Sequence, residues 1–159
     1  MDEDFYVASG HDLRGEDWTD INLIGANLSD SNLSGANLSD RNLSGANLSG
    51  ANLAGADLSF ANLSGANLSG ANLSDANLSD ADLRCAFLIR ADLSDANLEN
   101  ADLWKANLEC ADLRGANLLG AYPNANFAGA NFSGAKVSRT FLRYANHYGA
   151  VMPDGTVDI

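Results

Sequence analysis

Leucine stands at every fifth position from Leu23 to Leu118 without a gap, and alanine usually stands two places before it. The unit reads Ala-Asn-Leu-Ser-Gly, with Asp common in place of Asn and Gly. A helix buries residues at a spacing near 3.6 and a strand at 2.0, so a strict period of five fits neither. The chain must turn once per unit and bury the same two positions each time. Units of this kind gain a core only by stacking on their neighbours, which makes the chain a solenoid.

Gly, Ser and Asn are abundant and the formal net charge is −12, a composition that taken alone would suggest disorder. The periodicity overrules that reading, because the 46% of apolar residues are locked to fixed positions.

The run Ala26-Asn27-Leu28-Ser29-Asp30 and its successors resemble the pentapeptide-repeat family, whose motif is Ala-(Asp/Asn)-Leu-x-x. The resemblance runs from His11 to Met152. It implies an all-β fold, a right-handed quadrilateral β-helix with four units to a coil and the Leu and the small residue facing inward. At that count the chain makes about seven coils, a rod of about 35 Å at the usual strand spacing. The family implies little about activity.

Residues 1–10 carry no repeat and are expected to cap the first coil, with Phe5, Tyr6 and Val7 as a short strand or turn. The β-helix is expected over 11–152 and a tail or closing cap over 153–159, where Val157 and Ile159 fold back. Trp18 is placed in the central slot of a wide first coil. Gly, Asp or Asn ends most units through residue 83, as type II turns require. Cys85, Arg90, Lys105, Cys110, Arg139 and Tyr144 stand there later, and a different, wider turn is expected. Ala121-Tyr122-Pro123-Asn124 is a four-residue unit, after which Phe127, Phe132, Val137 and Leu142 continue the core one residue early. Arg41 falls in an inward column between Ile21 and Ala61; its guanidinium is expected to escape toward Asp40 rather than be buried.

No catalytic, metal or cofactor-binding residue is read from the sequence, and the chain is not expected to be an enzyme. His11, in an inward small-residue slot, and His147, in a central slot, lie near opposite ends and are assigned to filling the end coils. The serines have no base to activate them. The repeated Asn-Leu-Ser matches the glycosylation acceptor only because the repeat forces it. Cys85 and Cys110 are 25 residues apart, one coil up and one face around, so two free thiols and a reducing compartment are expected. No stretch is long and apolar enough to span a membrane. The acidic start lacks a secretory signal, which gives a cytoplasmic location unless a leader has been removed.

Residues 1–83 hold 13 acidic and 2 basic side chains, and residues 84–159 hold 8 and 7. Such a balance excludes direct nucleic-acid binding, which needs a basic surface. Asp20, Asp40 and Asp80 share an outward column interrupted by Phe60. The stacked pairs Asp75/Asp95, Asp82/Asp102 and Asp92/Asp112 would attract a cation only weakly. In the second half Phe60, Phe87, Ile89, Trp104, Leu119 and Tyr122 are outward and apolar by register. Arg84 and Arg90 border Phe87 and Ile89, and Arg84 lies one coil from Trp104 at cation–π spacing. Phe60, Arg84, Phe87, Ile89, Arg90 and Trp104 are therefore the candidate interaction surface, and the acidic column is a second candidate.

The function read is a non-enzymatic scaffold presenting a surface to an unidentified protein, as a monomer or a weak end-to-end or side-to-side dimer. The alternative rests on the resemblance, whose fluoroquinolone-resistance branch is understood as acidic rods that occupy the DNA-binding saddle of a type II topoisomerase (gyrase).

Overall fold

The computed structural model describes residues 8–18 and 20–158. Parallel β-bridges join residues 20 apart along the rod, Asn27 to Asn47, Asn47 to Asn67, Asn67 to Phe87 and so on. Each five-residue unit is one side of a four-sided coil. The leucines from Leu28 to Leu118 are fully buried and the alanines beside them nearly so.

The Ala-Asn-Leu-Ser-Gly unit is explained by counting its amide hydrogens, since buried backbone donors must find partners. In the unit 46–50, Asn47 N–H donates to Ala26 O of the coil before (2.8 Å), and Leu48 N–H to Asn67 O of the coil after (2.7 Å). Gly50 N–H donates to Ser69 O (3.0 Å), and Ala46 N–H closes the corner on Leu43 O (3.0 Å). The fourth N–H, on Ser49, has no backbone acceptor and is taken by the Asn47 side-chain oxygen at 3.2 Å. The second position is therefore Asn or Asp because only a short side chain with an acceptor can close this Asx turn. Its amide then donates along the rod to the next Asn, Asn67 to Asn47 and Asn47 to Asn27.

The corner residue has a positive φ throughout, the mark of a type II turn. Glycines supply it at Gly45 (φ 66°) and Gly65 (φ 67°). The wider turn expected of later units is not found. Cys85, Arg90, Lys105 and Cys110 hold φ between 57° and 58°, the same corner as Asp40 or Asp80. The interlayer bond from the corner N–H fixes the backbone, so these residues accept the left-handed conformation. Arg139 and Tyr144 are different again, being the first and last residues of a short helix, α1 (Arg139–Tyr144).

Residues 121–124 are the shortened side: Asp102 pairs with Tyr122 at a separation of 20, but Asn107 pairs with Asn126, one residue fewer. Beyond it, α1 is capped by Ser138, whose hydroxyl accepts from Phe141 N–H at 3.0 Å. The helical period turns Phe141 inward in place of the expected Leu142, which is only half-buried. Phe127, Phe132 and Phe141 plug the shaft with ring centroids 5.2, 5.4 and 6.4 Å apart. His147 is half-buried there, Nδ1 against Asp158 Oδ2 (2.9 Å) and Nε2 against Leu142 O (2.8 Å). The tail returns through an antiparallel bridge from Val157 to Val151. Ile159 and the Phe5-Tyr6-Val7 cap lie outside the described residues. Trp18 fills its expected central slot, 3% exposed.

At the N-terminal end one inward assignment fails, and one expected escape takes another route. His11 is exposed and holds Ser9 O with Nδ1. An imidazole is too large for a slot that, one coil on, buries Ser31. Arg41 does leave the core, but its Nε approaches Ser39 O at 3.4 Å, and the guanidinium borders a small recess with Glu16 and Asp17 rather than Asp40.

Candidate functional site

The shaft presents four columns of units. Arg84 and Trp104 share the face built by 81–85, 101–105 and the shortened 121–124. Phe87, Ile89 and Arg90 share the next face, built by 86–90. Phe60 stands apart at a corner of the acidic column, its N–H on Ser79 O, as Asp40 N–H is on Ser59 O. The six candidates are therefore two adjacent clusters and one outlier. Phe60 and Phe87 are 60% and 49% exposed; Ile89 is half-buried. Asp20, Asp40 and Asp80 are exposed at corners with φ of 63°, 58° and 57°.

Phe87 breaks the repeat's own chemistry. It pairs with Asn67 below and Asn107 above in the bridge ladder. The asparagine ladder of this face runs from Asn27 to Asn67 and resumes from Asn107 through Asn126 to Asn146. At Phe87 it stops, and with it goes the Asx turn to the Ile89 N–H. An aromatic ring stands in water where hydrogen bonds would otherwise run.

Arg84 is not stacked on Trp104. Its Nε and Nη2 hold Asp82 at 2.8 and 2.6 Å, with Asp102 Oδ2 at 3.9 Å. The cation over the indole is Lys105, 4.1 Å from the ring centroid. Every Asp-Leu-Arg triplet does the same, Arg14 with Asp12 and Arg114 with Asp112. The second and fourth positions of a unit point the same way, so the triplet itself carried the signal, and the sequence reading missed it. Hydrogen bonding from Arg84 and Arg114 holds Asp82 and Asp112 below the usual carboxylate range; the Ser59 hydroxyl does so for Asp57. Asp12, under Arg14, falls to about 2.

Arginine thus relieves two of the stacked acidic pairs, Asp82/Asp102 and Asp92/Asp112. Among the described residues no group of three or more His, Cys, Asp or Glu side chains is placed to hold a metal. Cys85 and Cys110 are free and exposed. No helix among the described residues is long and apolar enough to cross a membrane.

The shortened side opens a groove of about 670 Å3 between Trp104 and the end of α1, lined by Arg84, Asp102, Tyr122, Pro123, Asn124 and Tyr144. Trp104, Tyr122 and Tyr144 expose 43%, 64% and 65% of their surface. Tyr144 could not be placed here from sequence, because a five-residue register does not foresee a helix.

The described residues form a four-sided solenoid of stacked five-residue units. The chain belongs to the pentapeptide repeat family: eight copies of the family's Pentapeptide repeats model match it between residues 9 and 146. Among solved structures it is similar to HetL, a pentapeptide repeat protein involved in heterocyst differentiation regulation from the cyanobacterium Nostoc sp. strain PCC 7120. That match has 32% identity over 95% of this chain and 89% of that one, with a TM-score of 0.40. It is also similar to QnrB1, a plasmid-mediated fluoroquinolone resistance protein, at 23% identity over 98% and 84% with a TM-score of 0.46. A thylakoid-lumen pentapeptide repeat protein of Arabidopsis thaliana matches at 27% over 85% and 74%, TM-score 0.36. Among curated proteins nothing matches the chain.

Proposed function

We propose that the chain is a non-enzymatic interaction scaffold, and that it binds a protein through the two adjacent faces carrying Arg84 with Trp104 and Phe87 with Ile89 and Arg90. The observation that carries this reading is Phe87. A solvent-facing position that closes an Asx turn and a hydrogen-bond ladder in the units around it is given to an aromatic ring half in water. Aromatic and arginine side chains grouped in this way have the composition of interface centres.

The alternative, an acidic mimic of DNA on a topoisomerase, draws less support from the geometry. Duplex DNA carries its charge in two continuous rows. Here the carboxylates are spread over all four faces, and Asp12, Asp82 and Asp112 are each paired with an arginine.

Affinity capture from the source organism's lysate tests the proposal, using the natural chain and a Phe87→Ser, Trp104→Ser double variant. A protein retained by the first and lost by the second supports it. A topoisomerase retained equally by both, or a partner indifferent to the two substitutions, overturns it.

A further inference from the structure

We propose that His147 is a protonation-dependent latch. As an imidazolium it ties both the returning segment 153–158 and the last turn of α1 to the final coil, and as a neutral ring it gives up one of them. The observation behind this is that both ring nitrogens face acceptors. Nδ1 lies 2.9 Å from Asp158 Oδ2, and Nε2 lies 2.8 Å from Leu142 O. An imidazolium donates from both nitrogens, whereas a neutral imidazole has a single N–H. In either neutral tautomer a lone pair would therefore meet a carboxylate or carbonyl oxygen at hydrogen-bond distance. The side chain is only 22% exposed, so water does little to relieve that mismatch.

Each acceptor belongs to a piece of chain that the latch secures. Asn146 N–H, four residues after Leu142, goes to Ala125 O (3.2 Å) instead of continuing α1, which leaves Leu142 O to the ring. The returning segment covers the edge of the final coil. Gly149 N–H donates to Asp158 O (2.8 Å), Met152 N–H to Thr156 O (2.7 Å) and Asp158 N–H to Ala150 O (3.0 Å). Those groups would otherwise stand as an open edge. α1 also carries Tyr144 to the groove beside Trp104, so the latch steadies one wall of that groove.

The other titratable groups on the surrounding elements are Lys136, Arg139, Arg143 and Tyr144 in or before α1, Tyr148 next in the chain, and Asp154 in the returning turn. The unit beneath, 125–129, and the strand 150–152 have none. Among the described residues Asp158 is the group within ion-pair distance of the ring, and Asp154 is taken up by Thr156. Histidines change charge between about pH 5 and 8, and carboxylates are protonated below about pH 4. The latch is closed between those limits and opens as pH rises.

Amide exchange of the full chain tests this, expressed as protection relative to the intrinsic rate at each pH. Gly149, Met152 and Asp158 report the returning segment, and Leu68 in mid-shaft is the reference. Ring nitrogen shifts show whether His147 carries one proton or two, with the exposed His11, the other of the two histidines, as control. From about pH 5.5 to about pH 8.5, protection at the three amides should fall at least about tenfold, the weight of one charge-assisted hydrogen bond. The fall should follow the titration of His147 and not that of His11, while Leu68 holds. Protection in His147→Gln should be low and level. In Asp158→Asn it should be high and level, because an amide accepts from a protonated Nδ1 and donates to a bare one. A contact that merely packs the segment would give no such gain at high pH. Circular dichroism confirms that each variant remains folded. Level protection in the natural chain while His147 titrates overturns the inference. So does an undiminished fall in either variant, or an equal fall at Leu68.

Discussion

Replacing Phe87 with Asn should make the protein more stable. The new side chain would sit in the bridge position between Asn67 and Asn107. Its oxygen would close the Asx turn on the Ile89 N–H, as Asn67 does for Ser69 at 3.1 Å. Its amide would donate to Asn67, and Asn107 would donate to it, continuing a ladder whose other links are 3.4 and 3.0 Å long. Three bonds at about 0.5–1.5 kcal/mol each, discounted for their partial exposure, give about 2–3 kcal/mol. Against this stands the packing of a ring already half exposed, worth about 1 kcal/mol. The net gain is about 1–2 kcal/mol, a rise of about 3–6 °C in melting temperature for a chain of this size. Thermal unfolding followed by circular dichroism measures it, and amide exchange at residue 89 localises it. An unchanged or lowered melting temperature would refute the account of the second position as the unit's fourth-amide cap. The same variant should capture less partner, because stability and interaction are in conflict at this one position.

The remaining predictions concern the core, the corners and the charges. Leu68→Ala, at a fully buried centre, should cost about 2–5 kcal/mol, read as a fall in the denaturant midpoint. Phe60→Gly should stabilise by about 0.5–1 kcal/mol, because a bulky residue at φ 58° is relieved of the left-handed penalty; a loss of stability would show that the ring packs on the shaft. Asp57, Asp82 and Asp112 have folded values below their ordinary 3.8. Their contribution is therefore complete above that value and is lost as pH falls below it, since the unfolded chain then takes up protons that the folded chain refuses. Melting temperature should drop on acidification below about pH 4, and Arg84→Met should flatten part of that dependence.

The shaft was legible because one rule repeats: leucine at the third position, a small residue at the first, a left-handed corner at the fifth. Leu23 to Leu118 needed nothing more, and the four-residue unit at 121–124 was visible as a broken count. What failed had a common cause. A period names the slot but not the tolerance of the backbone in it, so Cys85, Arg90 and Lys105 were expected to widen corners that the interlayer bonds hold at one φ. The register also says nothing of side chains reaching within a unit. Arg84 was therefore assigned to Trp104, one coil away, although Asp82 stood two residues back. The groove was hidden for a further reason: α1 follows a 3.6 period, which exchanges Leu142 for Phe141 in the core and sets Tyr144 beside Pro123.

Hydrogen–deuterium exchange of the chain, alone and with its captured partner bound, tests most directly where the molecule is used. Protection gathered over residues 84–90, 102–105 and 122–124, with Asp20, Asp40 and Asp80 unaffected, is the predicted result. Protection confined to the acidic column and absent from Phe87 and Trp104 would contradict the account.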